Sequence, residues 1–187
     1  MERRAMEYAE SFYRSISISD IVIGDYILPI VFISLGDAIE EDPDNRTFSQ
    51  GRLRIDPVNA KKFCIRITLP WPAHQYNRTS LNKGIKKTIR HELLHYYLYI
   101  HDLPFADDTA LFHAYCYLFD AGAYAPLNEE EQAKYNRFME ALEEVEEDTP
   151  PFVLILLANA IIAEDEEAKA TFDFHMNEHK RRREQTP

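Results

Sequence analysis

Two histidines and a glutamate form the pattern in this sequence that could do chemistry. His91 and His95 are four positions apart, and Glu92 directly follows the first, in the run His91-Glu92-Leu93-Leu94-His95. Residues four apart lie one turn apart on the same face of a helix, so the two imidazoles can bind one zinc ion. Glu92 then lies beside that ion and can take a proton from bound water, whose pKa the metal lowers towards neutrality. The sequence predicts a zinc site of the HExxH type.

The apolar residues around the motif favour a metal site over a chance occurrence. With seven histidines in 187 residues, composition alone gives an HExxH somewhere with a probability of roughly a few per cent. Histidines that border a packed interior need polar partners, and a metal ion supplies one. The apolar residues that place the motif on a core helix are Ile85, Ile89, Leu93, Leu94 and Leu98.

A catalytic zinc site has a third protein ligand, and the residues leave its identity open. Asp107 and Asp108 follow the break at 102–104, where a helical hairpin would return the chain over the histidine face. Either aspartate could instead cap the next helix. His101 has a suitable spacing, but position 98 is leucine, where a sharp turn would need glycine. On an unbroken helix His101 would point about 80–120° away from the pair.

The elements that must position the motif are early strands and late helices, which indicates an α+β protein. The predicted strands cover 29–34, 51–56 and 63–69, the last two as a hairpin around a turn at 56–59. The predicted helices cover 2–14, 80–100, 107–120, 128–148, 151–163 and a polar stretch that ends in 180–183.

The charge balance argues against nucleic acid as a partner. Lysine and arginine number 21 against 32 aspartates and glutamates, a formal net charge of −11, and such a chain repels phosphate. Cys64 and Cys116 are too few for a disulfide framework or a four-cysteine zinc ribbon. The first residues lack the apolar stretch of a signal peptide, and the apolar run 151–163 is too short to cross a bilayer. We therefore expect a soluble cytoplasmic protein without membrane contact.

Two runs resemble the SprT-like family of zinc metallopeptidases: His91-Glu92-Leu93-Leu94-His95-Tyr96-Tyr97-Leu98-Tyr99-Ile100 and Asp107-Asp108-Thr109-Ala110-Leu111-Phe112. The order of a leading helix and early strands is similar as well, so the resemblance covers residues 1–125. It implies a minimal zincin-like domain with a leading helix, a small antiparallel-rich sheet and the HExxH helix. Residues 126–187 then form an acidic helical extension that packs on this domain.

The resemblance also bears on the third ligand. In the family this ligand is a histidine shortly before an aromatic residue that starts the next helix. Anchored on His95 the position falls on Asp107, and anchored on Phe112 it falls on Asp108, which we favour. Aspartate also binds zinc, so the resemblance implies a shell of two histidines and one aspartate. The added negative charge would make bound water less acidic.

The predicted function is that of a zinc-dependent metallopeptidase acting on a peptide or protein substrate. His91, His95 and Asp108 or Asp107 hold the ion, and Glu92 is the general base. The alternative is a catalytically silent, metal-stabilised interaction protein. In that case the acidic helical half, with its dense negative charge over 128–148, binds a basic protein partner.

Overall fold

The described part of the chain contains three short strands and six helices. The computed structural model describes residues 2–16, 30–35, 50–55, 63–69 and 78–184. The strands are β1 (Ile30–Leu35), β2 (Gln50–Ile55) and β3 (Phe63–Leu69). The helices are α1 (Glu2–Ile16), α2 (Arg78–Ile100), α3 (Ala110–Leu118), α4 (Glu129–Glu143), α5 (Pro151–Ile162) and α6 (Glu166–Glu184). The predicted α+β class, with a leading helix and late helices, is confirmed.

The three strands form a mixed sheet in the order β1-β3-β2. β2 pairs antiparallel with β3, as the hairpin prediction required, while the predicted turn at 56–59 lies outside the described residues. β1 pairs parallel with β3, so one of the two pairs departs from the antiparallel-rich sheet that was expected. Within the described strands, β2 has a neighbour on one side, which leaves its other backbone edge for a different partner.

Helix α2 lies at the centre of the core and contacts the sheet, α1 and α3. Because it is covered from several directions, it buries residues around most of its circumference, including Tyr96 and Tyr97. From β3, the alternating residues Phe63, Ile65 and Ile67 are buried, while Arg66 is exposed. The prediction that α2 is a core helix is confirmed by five buried residues: Ile85, Ile89, Leu93, Leu94 and Leu98.

Helix α2 ends without glycine. Asp102 adopts a left-handed backbone conformation with φ of 54°, which aspartate tolerates better than most residues. The N–H of Leu103 then donates to the carbonyl of Leu98 at 2.9 Å, closing the helix as in a Schellman-type end. The chain therefore turns directly after the helix, although the sequence offered no glycine for this turn.

Helix α3 begins later than predicted. Its N-cap is Thr109, whose hydroxyl accepts from Phe112 N, so the expectation that Asp107 or Asp108 caps this helix is wrong. The backbone N–H of Ala110 donates to Glu131 Oε2 at 2.6 Å. Because Glu131 lies on α4, this bond ties the acidic helix to the start of α3. Since α3 begins after Thr109, both aspartates lie in the preceding loop.

The C-terminal helices share the buried core of the first 125 residues. α4 and α5 contact α3, and α6 contacts α5. The Tyr115 hydroxyl on α3 donates to Asn159 Oδ1 on α5 at 3.1 Å, and Phe138 on α4 is fully buried. The apolar run forms α5, as predicted. No helix in the described ranges is long and apolar enough to span a membrane.

The burial of Phe138 gives a first testable prediction. Phe138→Ala is expected to lower the free energy of unfolding by about 3–5 kcal/mol, because it leaves a cavity where α4 meets the core. Chemical denaturation would measure this loss. Phe174→Ala is the matched control, since Phe174 on α6 is 62% exposed and its removal should change stability by less than about 0.5 kcal/mol. If both substitutions lower the free energy of unfolding by the same small amount, α4 does not share the core of the first 125 residues.

Candidate metal centre

Helix α2 and the loop that follows it bring three potential metal ligands together. The Nε2 atoms of His91 and His95 are 3.2 Å apart. Asp107 Oδ1 lies 3.3 Å from His91 Nε2 and 3.4 Å from His95 Nε2. The histidines share one face of α2 because they are four residues apart. The turn at Asp102 then returns the chain, so that the loop carries Asp107 to the same point.

Backbone carbonyls orient both imidazoles. His91 Nδ1 lies 2.8 Å from the Gly122 carbonyl oxygen, and His95 Nδ1 lies 2.5 Å from the Phe105 carbonyl oxygen. A carbonyl oxygen only accepts, so each Nδ1 carries the proton and donates it. Each Nε2 is therefore directed at the common point beside Asp107, where a metal ion could take the place of a proton. A carbonyl partner of this kind fixes the tautomer and ring orientation of metal-binding histidines.

The separations of the three atoms match a face of a tetrahedral zinc site. With zinc–ligand distances of about 2.0–2.1 Å, tetrahedral geometry places ligand atoms about 3.3–3.4 Å apart. The observed separations are 3.2, 3.3 and 3.4 Å. Two imidazole nitrogens and a carboxylate oxygen are also ligands that zinc accepts. The residues present thus fit a zinc ion, with one tetrahedral position left for water or substrate.

The electrostatics of the group favour a cation. Hydrogen bonds to His91 and His95 hold the pKa of Asp107 well below its ordinary value, so this carboxyl is ionised. Burial lowers the pKa of His91, but Asp107, Glu92 and the Gly122 carbonyl outweigh burial and raise the pKa overall. The surroundings therefore stabilise positive charge where the three ligand atoms meet.

Glu92 is buried next to this group, with 5% of its surface exposed. Its Oε2 accepts from the backbone N–H of Leu53 at 2.6 Å, on the edge of β2 that faces away from β3. Burial raises the pKa of Glu92, and the nearby His91 and His95 offset part of the rise. A carboxylate whose pKa is shifted towards neutrality is a better proton acceptor at physiological pH.

A cavity of about 560 Å³ joins these residues. It is within the range of about 300–1,000 Å³ that is typical of sites for small ligands. Its walls come from β2, β3, α2 and the loop after α2, so the sheet edge and the three potential metal ligands face the same space. Its lining residues are Arg52, Leu53, Phe63, His91, Glu92, His95, Tyr99, Phe105, Ala106 and Asp107.

This geometry shows which of the candidates for the third ligand lies with the two histidines. Asp107 joins the two histidines within the group that could hold a metal ion, whereas Asp108, the aspartate we favoured, does not. With Thr109 as the N-cap of α3, the carboxylate that reaches the histidines is two residues before the cap. Asp108 is exposed. His101 lies beyond the end of α2 and packs on Tyr97, with ring centroids 4.3 Å apart.

Phe112 and Gly122 support the two histidines through contacts that the sequence did not indicate. The Phe112 ring stacks on His95 at 4.0 Å and meets His91 edge-on at 5.0 Å, which restricts both imidazoles. Gly122 has a φ of 61°. Beside it, Asp120 accepts a hydrogen bond from Arg90 at 2.8 Å, holding this segment against α2. No sequence signal identifies a backbone carbonyl as a histidine partner.

Gly122 gives a second prediction. A Cβ at this position would lie 2.7 Å from Lys87 Cε and 2.7 Å from Tyr124 Oη, at the ends of side chains that can move aside. The positive φ of Gly122, however, strains the backbone of any residue with a side chain. Gly122→Ala should therefore shift the carbonyl that holds His91 and weaken zinc binding by about 10–100-fold. Competition with a chromophoric chelator measures this affinity. An unchanged affinity would show that the carbonyl does not position His91.

Comparisons with protein-family models, with curated proteins and with solved structures gave no match to this chain.

Proposed function

We propose that the protein is a zinc-dependent metallopeptidase that hydrolyses peptide bonds. The observation that supports this best is the triangle of His91 Nε2, His95 Nε2 and Asp107 Oδ1, with sides of 3.2–3.4 Å. A buried carboxyl, Glu92, faces the same cavity. Two histidines with an aspartate, and a glutamate adjacent to the first histidine, are a ligand set and a base suited to hydrolysis. We also propose that the α+β fold is zincin-like.

Each residue has a role that its surroundings suit. Zinc, when bound, would polarise the peptide carbonyl and lower the pKa of water. His91, His95 and Asp107 would hold the ion. Glu92 takes a proton from the attacking water and passes it to the leaving amine. The Leu53 N–H that donates to Glu92 holds this carboxylate towards the cavity throughout the transfer.

The cleavage of an unfolded protein tests this function. Zinc-loaded protein should convert reduced, unfolded casein into peptides that mass spectrometry detects, and chelator-treated protein should not. Adding zinc back should restore cleavage. If the chain retains one zinc ion and cleaves neither casein nor a mixed peptide library, the metallopeptidase proposal is wrong. That result would favour the alternative of a metal-stabilised interaction protein with a basic partner.

A further inference from the structure

The cavity beside the three potential metal ligands has both polar and apolar lining residues. The polar ones are Arg52, Glu92 and the potential ligands His91, His95 and Asp107. The apolar and aromatic ones are Leu53 from β2, Phe63 from β3, Tyr99 from α2 and Phe105 with Ala106 from the loop. The two sets adjoin each other, because Leu53 N donates to Glu92 and the Phe105 carbonyl accepts from His95. A substrate whose peptide bond lies at the polar residues would therefore place a neighbouring side chain against the apolar ones.

Three of these cavity-lining residues have aromatic rings that contact one another and form a continuous wall. Phe63 and Tyr99 meet with centroids 5.6 Å apart at 66°, and Tyr99 and Phe105 meet at 5.3 Å and 83°. Edge-to-face contacts of this kind stabilise ring pairs beyond the burial of their area. Because the rings come from a strand, a helix and a loop, the wall is fixed by the tertiary structure.

Phe105 is the exposed member of this wall. It is 43% exposed, whereas Phe63 is 5% exposed. Its backbone is held in place, because the Phe105 carbonyl accepts from His95 Nδ1. A large apolar ring is thus kept partly in water next to a metal group, at a position fixed relative to His95. Burying such a ring against a ligand removes apolar surface from water and favours binding.

We propose that this aromatic wall is a specificity pocket that selects a bulky apolar side chain next to the bond to be cleaved. The inference rests on the proposed metallopeptidase function and names the substrate class: peptides with leucine-like or phenylalanine-like side chains at that position. Phe105 and Tyr99 are the residues that determine this preference. Burying one leucine-like or phenylalanine-like side chain in an apolar pocket is typically worth on the order of 10- to 100-fold in affinity.

A series of amino-acid hydroxamates tests the pocket without requiring turnover. The hydroxamates of glycine, alanine, leucine and phenylalanine share a zinc-binding group and differ in the side chain. Their dissociation constants for zinc-loaded protein are measured by calorimetry, with zinc content determined on the same samples. The phenylalanine compound should bind on the order of 100-fold more tightly than the glycine compound.

Substitutions in the aromatic wall test whether the wall causes the preference for the phenylalanine hydroxamate. Phe105→Ala should reduce the ratio of the two affinities to below about 10-fold while zinc content is kept, and Phe105→Leu should restore most of the ratio. Phe174→Ala, which removes an exposed phenylalanine on α6 outside the cavity, should leave the ratio unchanged. If the four hydroxamates bind zinc-loaded protein equally well, the pocket is disproved and the metal centre stands. If the protein retains no zinc, both proposals fail, and zinc content separates this outcome from the first.

Discussion

Replacing Asp107 with alanine is expected to lower the zinc affinity of the chain by more than about 100-fold. Changes to the partners of metal ligands alone cost about 10–100-fold, and in the proposed site Asp107 itself would supply one of the three ligand atoms. The loss of its charge adds to the effect, because the pKa of Asp107 is held low and the carboxyl is ionised in the group. Zinc affinity is measured by competition with a chromophoric chelator at neutral pH.

Asp108→Ala is the matched control for this prediction. It removes the same side chain from the next position in the loop, where Asp108 is exposed and outside the ligand group. Its zinc affinity should equal that of the unchanged protein. Should Asp108→Ala lose zinc while Asp107→Ala retains it, the third ligand would be the one favoured from the sequence, and the geometry described above would be wrong.

Glu92→Gln should retain zinc and lower kcat/KM for peptide cleavage by about 100- to 10,000-fold, the range that a general base contributes. The amide cannot accept and pass on the proton. It keeps the size of the side chain, and its oxygen can still accept from the Leu53 N–H that now donates to Glu92. The variant should therefore fold with its cavity intact. Cleavage of a fluorogenic peptide and the zinc content are measured on the same preparation.

Glu140→Gln provides the control for the loss of a carboxylate, since Glu140 is exposed on α4 and lies outside the cavity. Its kcat/KM should not change. An active Glu92→Gln variant would contradict the assignment of Glu92 as the base, even if the zinc centre itself were established. A Glu92→Gln variant that lost zinc instead would assign this carboxyl to metal binding.

The central part of the site could be predicted because it depends on local geometry. His91, Glu92 and His95 lie within five residues of one helix, and the spacing of residues four apart in a helix is independent of the rest of the fold. The apolar pattern that surrounds them also identifies α2 as buried, since burial follows from periodicity. These inferences needed no knowledge of how distant segments meet.

The third ligand could not be chosen from the sequence because it depends on the path of the chain after α2. The predicted helix end at 100 and the predicted break at 102–104 agree with the observed end of α2 at Ile100. Asp102 takes the left-handed conformation and turns the chain, and the path of the nine-residue loop 101–109 then decides which aspartate reaches the histidines. Sequence pattern and spacing cannot distinguish two loop paths that differ by one residue, which is the difference between Asp107 and Asp108.

The hydrogen bonds between segments that are distant in the sequence could not be predicted either. The bond from Leu53 N to Glu92 connects residues 39 apart in sequence, and Glu131 on α4 accepts from Ala110 N across 21 residues. Both depend on backbone N–H groups, which every residue except proline carries. Residue type therefore gave no indication of them, nor of the parallel pairing of β1 with β3.

A diffraction experiment at the zinc absorption edge, on crystals of the zinc-loaded protein, tests the proposed zinc site. One anomalous peak is expected at about 2.0–2.2 Å from His91 Nε2, His95 Nε2 and an oxygen of Asp107. The proposed site is wrong if that position has no peak and the two imidazoles are instead hydrogen-bonded to Asp107, or if zinc binds elsewhere on the chain.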